Sequence, residues 1–180
     1  MYKIRLIEYA SEDIIKKAIE MDHAAFPASD WITKEDAELI YSNKKDCLIW
    51  LTQDEEPVGF ATVFSLNETL PAEAMEKNKP VYKLLTQAAL KDADTGILYC
   101  HCFLLLPQYR TKGLVYHLYE GLKEWLNQKG RDYSSIYADA VSAEGVRCLE
   151  RIGFKPVYSF GDGGTLYKAD KKCVINAITK

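Results

Sequence analysis

The chain has 180 residues, 48% of them hydrophobic and 27% charged, with 23 Lys and Arg against 26 Asp and Glu for a formal net charge of -3. That length fits one domain with a real core, and the nearly balanced charge gives no electrostatic footprint for nucleic acid or an anionic membrane. No apolar run approaches the roughly 20 residues of a membrane span, and a start carrying Lys3, Arg5, Glu8, Glu12 and Asp13 does not read as a signal peptide, so a cytoplasmic protein is expected.

Residues 2–9 alternate as a first strand. Ser11, followed by Glu12 and Asp13, is a helix start, and the apolar positions Ile14, Ile15, Ala18 and Ile19 carry that helix to about Phe26, where Pro27 ends it. Residues 28–31 form a loop. Thr33 with Asp36 resembles a capping box for a second helix through Leu39, Ile40 and Tyr41. Residues 47–52 and 59–66 pair as a hairpin around a turn at 54–57.

Residues 67–96 break the strand rhythm. Residues 71–77 and 81–90 each read as helix, with Pro80 placed at the start of the second piece and Leu84, Leu85, Ala88 and Ala89 as its buried stripe. So long a connection is either an extra pair of packed helices or a binding lid.

Residues 97–106 are an aromatic and apolar strand that Pro107 stops, and Leu114, Val115, Leu118, Leu122, Trp125 and Leu126 recur at helical spacing. The turn between them is basic and contains Gly113. A strand feeding a helix through such a turn aims backbone N–H groups and the positive end of the helix dipole at one point, which is how phosphate is bound. Gly130 stops the helix, 136–141 is a strand, 143–152 a helix closed by Gly153, and 154–160 with 165–168 a hairpin around Gly161, Gly163 and Gly164. Residues 173–178, rich in β-branched side chains, read as an edge strand.

This order of elements resembles the Gcn5-related N-acetyltransferase (GNAT) family over nearly the whole chain, and two motifs carry the likeness. Arg110, Gly113 and Val115, preceded by Pro107-Gln108-Tyr109, occupy the positions of the family's pyrophosphate signature, and Glu150-Arg151-Ile152-Gly153-Phe154 matches its second motif. The resemblance implies an α/β fold with a mixed, mostly antiparallel central sheet flanked by helices, spanning residues 1–180 as a single domain with a helical insertion at 67–96. It implies acetyl-coenzyme A as co-substrate and direct transfer of its acetyl group to a primary amine of a small molecule or protein. Leu104, Leu105 and Leu106 on the strand, Arg110, Thr111, Lys112, Gly113, Leu114 and Val115 in the turn, and Ser142 are the cofactor-binding positions it implies. A bulge near Leu104 or Leu105 would free a backbone N–H for the thioester oxyanion. Four positions depart from the family pattern: Val115 replaces a small residue, Thr111 stands where many members have another Gly, Ser142 where many have an Asn that contacts cofactor, and Leu149 where many have the Tyr that protonates the leaving thiolate.

The chemistry asks for a base, because an alkylamine with a pKa of about 10.4 is almost wholly charged at neutral pH. His101 lies mid-strand, and some amine acetyltransferases resemble this chain in carrying a His there; the alternative is a buried histidine bonded to a carbonyl. Tyr99 shares its face by strand alternation and is taken with it as a candidate catalytic residue. Cys100 and Cys102 point to the other face, so a Cys-His-Cys metal site is not expected, and five cysteines without a Cys-x-x-Cys pair suit reduced thiols. Cys148, His23 and His117 read as packing or surface residues, and Tyr116 and Tyr119 read first as packing residues and second as replacements for the missing acid. Asp30 and Trp31, a carboxylate beside an aromatic ring, are the candidate acceptor-binding pair. Two other functions remain open: a non-catalytic acyl-coenzyme A sensor, and an interaction domain using residues 67–96. A monomer and a homodimer are both compatible with the sequence.

Overall fold

The computed structural model describes residues 1–90, 96–110, 113–130, 133–161 and 163–179. In chain order the elements are β1 (Tyr2–Leu6), α1 (Glu12–Ala25), α2 (Lys34–Asn43), β2 (Leu48–Gln53), β3 (Glu56–Asn67), α3 (Leu70–Lys77), α4 (Gln87–Leu90), β4 (Gly96–Leu105), α5 (Val115–Gln128), β5 (Ser135–Ala140), α6 (Ala143–Arg151), β6 (Lys155–Ser159), β7 (Thr165–Asp170) and α7 (Lys171–Thr179). The strands hydrogen-bond in the order β1-β2-β3-β4-β5-β7-β6. The pairings β1/β2, β2/β3, β5/β7 and β6/β7 are antiparallel and β4/β5 is parallel. This is the mixed, mostly antiparallel sheet with flanking helices that the sequence led us to expect.

The chain packs as two compact units, the first made of Met1–Val63 with Cys102–Trp125. Its helices begin where the capping residues predict. The Ser11 hydroxyl accepts the Ile14 N–H at 3.4 Å, and the Thr33 hydroxyl accepts the Asp36 N–H at 3.0 Å while donating to Asp36 Oδ2 at 2.7 Å. Leu51, Val58, Leu105, Leu114 and Leu118 form a buried cluster, with Val115, Tyr109, Phe103, Ile4 and Tyr2 packed around it. The apolar stripe of α5 is thus explained by burial. Gly121 lets that helix lie close to the strands beneath, since a Cβ there would stand 2.5 Å from Ile49 Cγ2.

The second unit comprises Phe64–His101 with Leu126–Lys180. Here β4 pairs with β5 through Leu98, Tyr99 and Cys100 against Ile136, Tyr137 and Ala138. The insertion differs from the single helix expected over 81–90. A 3-10 turn at Val81–Leu84 is followed by Leu85 in extended conformation (φ -64, ψ 126) and only then by α4. Thr86 is the cause: its hydroxyl accepts the Ala89 N–H at 3.2 Å and restarts the helix. The burial follows the break, with Val81, Ala89 and Leu90 inside, Leu84 and Leu85 half-buried and Ala88 exposed. Asn78, in left-handed conformation at φ 51, ends α3, and its side-chain carbonyl accepts the Gly161 N–H at 3.2 Å.

The C-terminal segment is a helix, not the edge strand expected at 173–178. The Asp170 carboxylate accepts the N–H groups of Lys172 at 2.8 Å and Cys173 at 3.4 Å, and Val174 is fully buried. A carboxylate at the helix start and one buried turn outweigh the weak β preference of Val and Ile.

Candidate functional site

Within the first unit, β4 ends at Leu105 and a 3-10 turn at Pro107–Tyr109 leads to Arg110. Leu104 and Leu105 bury their side chains, at 2% and 9% exposure, so only their backbones can face a ligand. The Leu106 N–H donates to Val58 O at 3.0 Å. Close by, Gly59 does something the sequence reading did not anticipate: a Cβ there would stand 2.6 Å from Leu104 O, so β3 approaches this end of β4 as only glycine allows.

The Arg110 guanidinium is committed to structure. Its Nε donates to Leu105 O at 3.1 Å and its Nη2 to Ala25 O, clamping the end of β4 to the last turn of α1. The Arg110 N–H donates to Pro107 O at 3.3 Å. Thr111 and Lys112 lie outside the described residues. Gly113 has φ +68, a left-handed turn into α5, and a Cβ there would stand 4.0 Å from Tyr116 Cδ2. Tyr116 and His117 donate their N–H groups to Gly113 O and Leu114 O, at 3.2 and 3.0 Å. Ahead of them, Gly113, Leu114 and Val115 form the entry to α5, the positive end of its dipole. Val115 is partly buried and packs against the Leu51 cluster.

Asp30 and Trp31 occupy the loop between α1 and α2. Trp31 is 43% exposed and stacks on His23, with centroids 4.3 Å apart and planes 18° apart. Its indole N–H donates to Phe26 O at 2.9 Å, and Asp30 accepts the Ser29 hydroxyl at 3.1 Å. Behind this pair, buried Asp22 accepts the Ile32 N–H at 2.9 Å, and burial pushes its carboxyl above the usual carboxylate range. One face of Trp31 is consumed by His23, so a histidine read as surface or packing is part of this loop's framework.

Within the second unit, Tyr99 and His101 share a face of β4, with ring centroids 6.1 Å apart, and Phe64 stands 5.8 Å from the first and 6.0 Å from the second. His101 is half-buried, whereas Tyr99 is 1% exposed. The Tyr99 hydroxyl donates to Asp139 Oδ2 at 2.7 Å, and burial followed by that carboxylate holds its pKa well above the usual tyrosine value. Tyr99 thus stays protonated and points its hydroxyl at Asp139. Asp139 itself was not singled out from the sequence; the available signal was a carboxylate inside the alternating strand Ile-Tyr-Ala-Asp-Ala. Burial pushes the Cys100 thiol up to about 12, which keeps it protonated and makes it a poor nucleophile or ligand.

Ser142 caps α6: its hydroxyl oxygen accepts the Gly145 N–H at 3.0 Å. Leu149 is 5% exposed, a core residue at the position where the family has its acid. The neighbouring Glu150 accepts from the Tyr167 hydroxyl at 3.5 Å.

A family model described as acetyltransferase (GNAT) family matches residues 15–154, a span that includes both the Arg110 turn and the Glu150–Phe154 motif. No curated protein sequence matches the chain. Among solved structures, the loading GNATL domain of CurA from Lyngbya majuscula is similar at a TM-score of 0.77 and 12% identity, over 96% of this chain and 98% of that one. The GphF GNAT-like decarboxylase in complex with isobutyryl-CoA is similar at 0.75 and 11%, over 94% and 99%. The polyamine N-acetyltransferase of Drosophila melanogaster, which catalyses the formation of N-acetylagmatine, is similar at 0.65 and 14%, over 94% and 100%. At these identities the likenesses show the fold.

Proposed function

The chain belongs to the acetyltransferase (GNAT) family over residues 15–154, and from that premise we propose that it transfers the acetyl group of acetyl-coenzyme A to a primary amine. The observation that carries this reading is the family match itself, which covers the phosphate turn and the second motif together.

In the proposed reaction His101 removes a proton from the acceptor ammonium, and the freed nitrogen attacks the thioester carbonyl carbon. Negative charge collects on the carbonyl oxygen, where a backbone N–H near Leu104 and Leu105 stabilises it. The nitrogen gives up its second proton to water as the C–S bond breaks, and the thiolate takes a proton from water or from Tyr116, which is 52% exposed. The pyrophosphate rests on the amides of Gly113, Leu114 and Val115, and the pantetheine runs along the backbone of Leu106. Asp30 and Trp31 contribute a carboxylate and one free aromatic face to the acceptor. Arg110 serves by shaping the turn rather than by touching phosphate, because its guanidinium holds two carbonyls.

Calorimetric titration with acetyl-coenzyme A, followed by a thiol-release assay over alkylamines, arylalkylamines and amino-terminal peptides, tests this. Saturable binding and amine-dependent thiol release are expected, with His101→Ala slowing release about 100-fold. Absence of binding at millimolar acetyl-coenzyme A would sink the proposal.

One observation favours a second reading. With buried Leu149 in place of the family's acid, the position cannot protonate a leaving thiolate. Decarboxylation of a malonyl-type thioester releases none: the bond from the α-carbon to the carboxylate breaks, CO2 departs, and the electron pair passes to the thioester enolate, which is then protonated on carbon. The same backbone N–H would stabilise the enolate oxygen. A decarboxylase is also among the similar structures. Release of CO2 without free thiol identifies this reaction, whereas binding without either product identifies a sensor.

A further inference from the structure

Asp139 lies on β5 one residue past the last pair of the parallel ladder, Cys100 with Ala138, and His101 lies one residue past it on β4. Its Oδ2 accepts two hydrogen bonds, from the Tyr99 hydroxyl at 2.7 Å and from the Tyr82 N–H at 3.3 Å. Tyr82 belongs to the 3-10 turn Val81–Leu84 of the insertion, whose first residue, Val81, is fully buried and whose Tyr82 ring is 37% exposed. One carboxylate oxygen therefore ties three parts of the same unit: β4 through a side chain, β5 through its own backbone, and the insertion through a main-chain amide. Tyr99 is also the ring against which His101 stands, two residues along the same strand face. Tyr99 buries its hydroxyl on Asp139 and cannot itself meet a substrate, so its contribution runs through the groups it holds.

We propose that Asp139 is a positioning residue for the acceptor: by holding Tyr99 and the 81–84 turn on one oxygen, it fixes the insertion beside the strand face that carries His101. The exposed Tyr82 ring then forms a wall against the alkyl or aromatic body of the amine. This rests on the amine acetylation proposed above. It assigns the insertion to acceptor recognition, and predicts that Asp139 governs amine affinity while leaving acyl-coenzyme A affinity alone.

Hydrogen–deuterium exchange of residues 81–86, acetyl-coenzyme A titration and amine kinetics are measured on the full chain and on Asp139→Ala, Asp139→Asn and Tyr99→Phe. Asp139→Ala is expected to speed exchange of the 81–86 amides and raise the amine KM by about tenfold each, the worth of one charge-assisted hydrogen bond. Its kcat and its Kd for acetyl-coenzyme A stay within about threefold. Asp139→Asn keeps an oxygen able to accept both bonds and recovers most of the loss, and Tyr99→Phe falls between. If Asp139→Ala does not fold, the Asn and Phe variants give the same ordering against wild type. Unchanged exchange in the variants overturns the proposal whatever their activity. Faster exchange with unchanged amine KM also overturns it, because Asp139 is then merely structural. Faster exchange in a protein that turns over no amine removes the acetylation reading and, with it, the role toward an acceptor, while upholding Asp139 as the tie on the insertion.

Discussion

Asp22 is a carboxyl group held where water is scarce, and its chemistry sets a test at the scale of one residue. Burial is the largest influence on it and raises its pKa from 3.8, with the Ile32 N–H and the His23 ring pulling the other way. A carboxyl whose folded pKa exceeds its unfolded value binds more protons when folded. Between 3.8 and that raised pKa, rising pH therefore removes stability, and above it the loss is complete. Asp22→Asn keeps an oxygen for Ile32 N–H and drops the charge. Its melting temperature should match or exceed wild type at pH 7.5, with the advantage shrinking toward pH 4. Asp22→Ala loses the acceptor and should cost about 1 kcal/mol near pH 4, and less at pH 7.5, where wild type carries the buried charge. An Asn variant less stable than wild type at pH 7.5 would show that the ionised carboxylate is a net benefit there. Such residues mark the limit of reading from sequence. His101 stood out because its strand and its motif are local, and Gly113 because a turn needs it. Asp139 and Tyr99 are 40 residues apart, and only the parallel register of β4 and β5 joins them.

Elements were legible where their signals sit at their own ends. Ser11 and Thr33 announced α1 and α2, and Pro107 closed β4. The failures share one cause, a side chain competing with a propensity. Thr86 divides the segment that apolar spacing made continuous, and Asp170 starts a helix where β-branched residues suggested a strand. Close approach between elements was hidden too, because a glycine within an apolar strand does not say what presses on it. Gly59→Ala would set a Cβ 2.6 Å from both Leu104 O and Leu105 Cδ2. A main-chain oxygen cannot rotate aside, so β4 must shift where its backbone is proposed to meet the thioester. The variant should lose about 1–3 kcal/mol in urea denaturation. Its acetyl-coenzyme A affinity should weaken more than that of Gly121→Ala, whose nearest clash, 2.5 Å from Ile49 Cγ2, is with a side chain. Equal affinities in the two would separate Gly59 from the binding site.

At the scale of the whole chain, three elements belong to both compact units. Residues 56–63 of β3, 102–105 of β4 and 115–125 of α5 fall in the first, and the remainder of each falls in the second. Neither unit can lose its strands without fraying one that continues into the other, so the chain should unfold in a single step despite the division. The tryptophans make this measurable. Trp31, Trp50 and Trp125 all lie in the first unit and the second has none, so tryptophan fluorescence follows the first unit alone, whereas far-ultraviolet circular dichroism follows both. The two urea transitions should superimpose, with one midpoint. Acetyl-coenzyme A at 100 times its Kd should move both together, adding about 2.7 kcal/mol by mass action. If the dichroism changes first, the second unit opens alone and the shared strands do not couple the two. If ligand shifts the fluorescence transition and leaves the dichroism in two steps, the nucleotide is held by the first unit without help from the strand segment that carries His101.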